Sequence, residues 1–278
     1  MIRAFAPAKI NLTLHVTGQR ADGYHLLDSL VVFADVGDVV TATEGRGLTL
    51  AVTGPEAGGV PEGESNSILQ AARFLGVEDV AFALEKHLPT AAGIGGGTAD
   101  AAAALQAAAQ LRGVGVPADV LSLGADVPVC LRGHSARMSG IGEELADVDG
   151  LPDVWAVLVN PRVGVSTPEV FKRLQYKDNA PMPEDIPVFE TVRNLAGWLA
   201  DQRNDLEGAA IEDQPRVAEV LAALRRLKGQ LLTRMSGSGA TCFALFGDEQ
   251  SAKDAAQVIS AQHPDWWVRN TRLGRKNL

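Results

Sequence analysis

The chain has 278 residues, enough for one large domain or two of ordinary size with a substantial core. Its 46% hydrophobic and 21% charged content is that of a soluble globular protein, and its net charge of −9 argues against a nucleic-acid-binding surface. The N-terminus MIRAFAPAKI lacks a leader-like apolar core, and no apolar run approaches the ~18 residues that cross a bilayer, so a cytoplasmic protein is expected.

In chain order, residues 9–16 alternate polar and apolar, which predicts a strand with one buried face and with Lys9 and Asn11 pointing the same way. Strand-like runs follow at 30–40 and 48–52, a helix at 66–75, and a strand at 80–86. A glycine-dominated loop at 93–98 then passes straight into a long alanine helix. Glycines let backbone N–H groups converge on an anion, and a helix N-terminus adds free donors, so this loop reads as a phosphate cradle or as a flexible turn. It is neither a Walker loop, lacking the Gly-Lys-Ser/Thr ending, nor a dinucleotide fingerprint, since Thr98 occupies the last glycine position.

Beyond Gly113–Pro117 a short helix precedes GADVPVCL at 124–131. A buried strand at 155–159 opens the second half. Helices are predicted near 167–174, 189–199 and 215–227, and the end reads strand, strand, helix, strand at 231–234, 242–246, 250–261 and 266–269. Pro181, Pro183 and Pro187 mark a surface loop. The mixture lacks regular βαβ alternation, which predicts an α+β fold with a loose boundary near residue 150. Cys130 and Cys242 read as reduced core residues, and the five histidines are too scattered for a metal site. Arg269, Arg272, Arg275 and Lys276 read as a solvated basic end, and the Trp266-Trp267 pair as core.

Four constellations carry potential chemistry, the first spanning residues 6–25. Lys9, with Asn11 and His15 as face-mates, is either a solvated strand residue or a positioned cation. Tyr24 and His25 follow an Asp22-Gly23 turn and either stack on a flat ring or begin a strand. Asp126, two residues before Pro128, is an N-cap or an acid–base carboxylate kept ionised by a cation such as Lys9. The small-residue loop MSGSGAT at 235–241 is a hairpin turn or a ligand lining. In the glycine loop, Thr98 caps the helix or contacts a phosphate, and Asp100 suits the positive end of the helix.

In this order, PAKINL, RADGYH, LPTAAGIGGGTADAA, GADVPV, Gly140-Ile141-Gly142-Glu143 and MSGSGAT resemble the GHMP small-molecule kinases over nearly the whole chain. The branch most resembled acts on a cytidine-diphosphate-linked methylerythritol in non-mevalonate isoprenoid biosynthesis. The resemblance implies a GHMP kinase fold, with a ribosomal-protein-S5-like ATP-binding domain at 1–150 and a ferredoxin-like substrate domain at 151–278. It implies ATP as phosphoryl donor, with Mg²⁺ held mainly through ATP and no protein metal ligand. Asp126 would face the acceptor hydroxyl, with Lys9 its neighbouring cation. Pro89, Thr90, Ala91, Ala92, Gly93, Ile94, Gly95, Gly96, Gly97, Thr98 and Ala99 would wrap the phosphates, with Asn66 and Lys86 near adenosine. Asn11 would hold the methylerythritol, while Tyr24, His25 and Phe171 would bind cytosine beside Thr167 and Pro168. Gly237, Ser238 and Gly239 would line the substrate. Ala91 and Ala92 stand where many relatives have glycine, and Thr98 where serine is usual. A kinase for homoserine, mevalonate or a sugar, or a non-catalytic nucleotide-binding module, are the alternatives. A monomer or weak homodimer is expected, with no nucleic-acid or membrane partner.

Overall fold

The computed structural model describes residues 1–274, so Arg275 and Lys276 lie outside the described residues. Two compact units emerge, each made of three stretches of chain. The first comprises Met1–Lys9, Val36–Thr90 and Gly95–Gly133; the second comprises Ile10–Asp35, Ala91–Ile94 and His134–Leu278.

The first unit takes most of β1 (Ile2–Asn11) and the later part of β3 (His25–Glu44). β5 (Val80–Glu85) pairs antiparallel with β3, Val39 opposite Glu85, and parallel with β4 (Thr49–Thr53). β5 alternates as its sequence predicts, with Val80, Phe82 and Leu84 buried. Helix α1 (Ser67–Phe74) packs Ile68, Leu69, Ala71 and Ala72 inward against α2 (Gly96–Arg112). Buried alanines line α2 on nearly every side, and small side chains let α1 and the short α3 (Val127–Arg132) approach closely. The helix begins at Gly96, inside the predicted loop, so Gly96, Gly97 and Thr98 are its first turn.

In the second unit, β2 (His15–Gln19) and the start of β3 form a hairpin, His15 opposite Asp28, with a bulge between Val16 and Gly18. The predicted single strand at 9–16 is two: β1 ends at Asn11 and β2 starts at His15. Nor is one face wet, since Asn11, Thr13 and His15 are all buried. β6 (Ala136–Gly140) and β7 (Glu144–Asp147), which their polar content had hidden, extend the hairpin antiparallel. β8 (Val154–Asn160) lies between β10 (Cys242–Phe246) and β11 (Trp267–Leu273), and β9 (Leu232–Met235) flanks β10. Over this antiparallel sheet pack α7 (Arg216–Arg225) and α8 (Glu249–Gln262), burying Val220, Leu224, Phe246 and Ile259 in one core. Helices α4 (Thr167–Lys172), α5 (Val192–Ala200) and α6 (Glu207–Asp213) complete the unit.

Three readings of side chains settle here. Trp266 and Trp267 are core. Arg269 and Arg272 are not a solvated end: they sit on β11, Arg272 paired with Asp153 and Arg269 5.4 Å from the Trp267 ring centre. The proline loop lies at the surface yet is anchored. Arg137 grips Asp28 with two nitrogens and donates to the carbonyls of Met182, Pro183 and Glu184, while Asp28 accepts from the Met182 N–H. Met182 itself is only 2% exposed.

Candidate active site

In the first unit, Lys9 extends from β1 with 4% exposure and brings Nζ to 2.7 Å from Asp126 Oδ2. Asp126 occupies the N-cap position of α3, but its carboxylate makes no capping bond. Its backbone is already helical (φ −89°, ψ −8°), so the side chain does not fold back over the first N–H groups as an extended cap residue does. The N-cap and solvated-lysine readings both fail, and the ion pair replaces them. The Asp126 side chain keeps 29% exposure, which leaves it reachable by a ligand. One turn along, burial and the Asp126 charge push the Cys130 thiol up to about 12, so it stays protonated.

The glycine loop enters α2 through Gly95, whose φ of 66° is costly for any residue with a Cβ. With Gly95 as cap, the N–H groups of Gly96, Gly97 and Thr98 precede the first helical hydrogen bond, made by the Ala99 N–H to the Gly95 carbonyl. Thr98 does not cap by accepting: its hydroxyl donates to the Gly95 carbonyl at 2.8 Å. Those free donors at a helix N-terminus are what an anion requires. Asn66 caps α1, accepting from the Ile68 N–H at 2.9 Å and donating to the Pro61 carbonyl. Lys86 is buried between Asp38 and Asp100. Pro89 is buried and Thr90 exposed.

In the second unit, residues 91–94 rest on the 235–241 loop. The Thr241 N–H donates to the Ala92 carbonyl and Ser236 Oγ donates to the Gly93 carbonyl, both at 3.1 Å. A Cβ on Gly93 would lie 2.6 Å from the Gly239 backbone, so only glycine fits there. Ser236 Oγ also accepts from the Asn11 N–H at 3.1 Å, and Asn11 Nδ2 donates to Ser29 Oγ at 2.8 Å. Thr167 and Ser238 hydroxyls meet at 2.7 Å, with Pro168 in the first turn of α4. His25 stacks on Phe171, ring centres 4.7 Å apart, and Tyr24 stands 61% exposed beside it in sequence. Burial, aided by Lys177, holds His25 below the usual imidazole pKa, so it is neutral near pH 7. Asn11 Oδ1 and His25 Nε2 are buried without a partner, an arrangement that a ligand donor or acceptor relieves.

Residues that the sequence reading passed over support this second group. Asn204 donates to the Met235 and Gly237 carbonyls, both at 2.9 Å, and accepts from the Leu206 N–H. Asp205 accepts from the Val16 N–H and Glu207 from the Met235 N–H. Arg234 donates to three carbonyls, of Leu12, Leu199 and Gln202. The one signal was the polar run Arg203-Asn204-Asp205 ahead of α6, dense in groups that favour local backbone bonds.

Residues 66–136 match the GHMP kinases N terminal domain and residues 185–265 the GHMP kinases C terminal domain. The 4-diphosphocytidyl-2-C-methyl-D-erythritol kinase of Cereibacter sphaeroides (strain ATCC 17029 / ATH 2.4.9) is 59% identical over 276 residues, covering 98% of this chain and 99% of its own. A crystal structure of 4-(cytidine 5'-diphospho)-2C-methyl-D-erythritol kinase superposes with a TM-score of 0.79 at 34% identity, over 98% of this chain and 99% of that one. A homoserine kinase structure from Cytophaga hutchinsonii, 20% identical with a TM-score of 0.65 over 97% of this chain and 94% of its own, shares the fold. The chain belongs to the 4-diphosphocytidyl-2-C-methyl-D-erythritol kinase family of the GHMP kinases.

Proposed function

We propose that this protein transfers the γ-phosphoryl group of ATP to the 2-hydroxyl of 4-diphosphocytidyl-2-C-methyl-D-erythritol, a step of non-mevalonate isoprenoid precursor biosynthesis. The observation that carries the reading is the Lys9–Asp126 pair at 2.7 Å, joined to 59% identity with a kinase of that name. Phosphoryl transfer proceeds through a loose transition state, so the protein's work is positioning and charge stabilisation. Free N–H groups of Gly96, Gly97 and Thr98 hold phosphate oxygens, with Pro89–Thr90, residues 91–94 and Ala99 shaping the rest of the loop and Asn66 beside adenosine. Asp126 accepts the hydroxyl proton as the new O–P bond forms, and Lys9 keeps that carboxylate ionised and steadies charge on the oxygen. Mg²⁺ would supply further charge neutralisation when bound and would be held mainly through ATP, as suits an ion that dehydrates reluctantly.

On the substrate side, Asn11 Oδ1 and the neutral His25 imidazole offer hydrogen bonds to the polyol and the cytosine edge, Tyr24 and Phe171 offer ring faces, and Thr167, Pro168, Gly237, Ser238 and Gly239 line the approach. A cytoplasmic location accords with ATP as donor and with Cys130 and Cys242 as buried free thiols. The test is ADP release with each acceptor in turn. Turnover is expected with the cytidylyl substrate, inhibition by cytidine diphosphate, and none with homoserine or mevalonate. In Asp126→Ala, turnover falls on the order of a hundredfold or more with ATP affinity retained; near-normal turnover by that folded variant removes Asp126 from the chemistry.

A further inference from the structure

One buried cluster in the first unit centres on Lys86, which the family resemblance sets near adenosine and whose ammonium is held by two carboxylates. The Lys86 ammonium, just after β5, lies 2.5 Å from Asp38 Oδ2 and 2.8 Å from Asp100 Oδ2. All three residues are at most 3% exposed. Asp38 is saturated, because its Oδ1 accepts from the backbone N–H groups of His87 and Leu88 at 2.6 and 2.8 Å. Asp100 Oδ1 is buried with no partner. Two carboxylates and one ammonium thus share a solvent-excluded pocket with a formal charge of −1 and one idle oxygen. The pocket abuts the first turn of α2: a Cβ on Gly96 would sit 3.3 Å from Lys86 Nζ, and Gly96 and Asp100 are one turn apart on the same helix face.

We propose that Asp100 is a positioning residue for the nucleotide: it braces Lys86 beneath the first turn of α2 and takes up a proton on Oδ1 when a polyphosphate settles there. The inference rests on the assignment of the ATP phosphates to this loop. An anion arriving beside a −1 cluster penalises the ionised carboxylate. A solvent proton on Oδ1 removes that penalty and leaves Lys86 and Asp38 as a neutral pair. The proton goes to Asp100 because each Asp38 oxygen already accepts from a donor that protonation would displace. Burial raises the Asp100 pKa, Lys86 pulls it back, and the neighbouring Asp38 raises it again, leaving it at about 7, within the working range. The titratable groups that bear on Asp100 are Asp38 from β3, Lys86 from the end of β5, and Cys130 from α3, which stays neutral. By reciprocity, whatever the nucleotide adds to proton affinity, the proton adds to nucleotide affinity.

Calorimetry of ADP binding at pH 7, in buffers of different ionisation heat, counts the protons taken up. Wild-type protein is expected to take up a measurable fraction of a proton more than Asp100→Asn, since only the wild type holds an ionisable carboxyl there. Asparagine keeps an oxygen for Lys86, so in that variant the KM for ATP loses its rise between pH 6 and 8. Equal proton uptake by the two proteins, with a KM profile that keeps its pH dependence in Asp100→Asn, overturns the proposal. If Asp100→Asn does not fold, infrared difference spectra of the wild type decide. ADP must add a protonated-carboxyl band, and its absence overturns the proposal. A complete lack of ADP binding heat sinks the kinase reading instead, which is a separate outcome.

Discussion

Around the glycine loop, the first unit sets two buried lysines against three carboxylates: Lys9 on Asp126, and Lys86 on Asp38 and Asp100. Around residues 235–241, the second unit works almost without charge pairs, using Asn204, Ser236, Asn11 and backbone groups bonded to one another. Its buried cation, Arg234, is answered by carbonyls rather than by a carboxylate. Burying charge is expensive unless paired, and it is worthwhile where charge develops during a reaction. Neutral donors and acceptors suit recognition of a polyol and a base, whose own groups are neutral. Under the roles proposed above, the contrast separates the region that moves charge from the region that reads shape.

The largest effect is expected in the charged region. Lys9→Met leaves Asp126 without its cation, and turnover should fall on the order of 100- to 1000-fold, as for loss of one electrostatic stabiliser. Steady-state kinetics at saturating ATP measure this; a loss confined to the KM for ATP would assign Lys9 to binding and blur the contrast. In the neutral region the matching experiment is Arg234→Met, which strands three buried carbonyls. Stability should drop by about 3 kcal/mol, read as a lower urea midpoint at unchanged slope. A drop under about 0.5 kcal/mol would mean that the carbonyls find other donors and that the second unit is less tightly specified than it looks.

Smaller effects sharpen the picture. His15 donates from Nδ1 to the Ala180 carbonyl and accepts at Nε2 from the Arg203 N–H. Burial holds its pKa below 6.5. A folded-state pKa depressed in this way means that stability is full above 6.5 and declines as pH falls below it, because protonation removes the Nε2 acceptor. The urea midpoint of wild-type protein should therefore fall more between pH 7.5 and 5.5 than that of His15→Gln. The smallest change concerns Ala91, which holds φ at 50°. Ala91→Gly relieves left-handed strain but loosens the unfolded chain, for a net gain of roughly 0.5 kcal/mol in chemical denaturation.

Much of this was legible in the sequence because local rules carried it. Asn66 before an apolar i, i+3, i+4 pattern caps α1 as its side chain dictates, and β5 alternates as a half-buried strand should. At Asp126 the sequence left capping and pairing with a cation such as Lys9 both open, since local chemistry favours capping and only the distant Lys9 overrides it. Alternation misled at residues 9–16, because period two reports two different faces without saying that water touches either. The Asn204–Glu207 turn stayed hidden for a related reason. Polar side chains in a loop look solvated until one knows that the carbonyls of Met235 and Gly237 come to meet them. Likewise the loop at 179–184 reads as exposed from its prolines, yet Asp28 and Arg137, far off in sequence, pin it down.

The interleaving of the two units has a practical outcome for anyone wishing to take the molecule apart. A gene cut after residue 150 yields a trailing fragment that lacks residues 10–35 and 91–94, among them Asn11, His25 and Gly93. The leading fragment in turn carries those stretches with β6 and β7 but without the sheet and helices of residues 154–273. Separate expression should give two insoluble products, and co-expression the only route to rescue, so split-gene complementation is the natural assay of how far each half depends on the other.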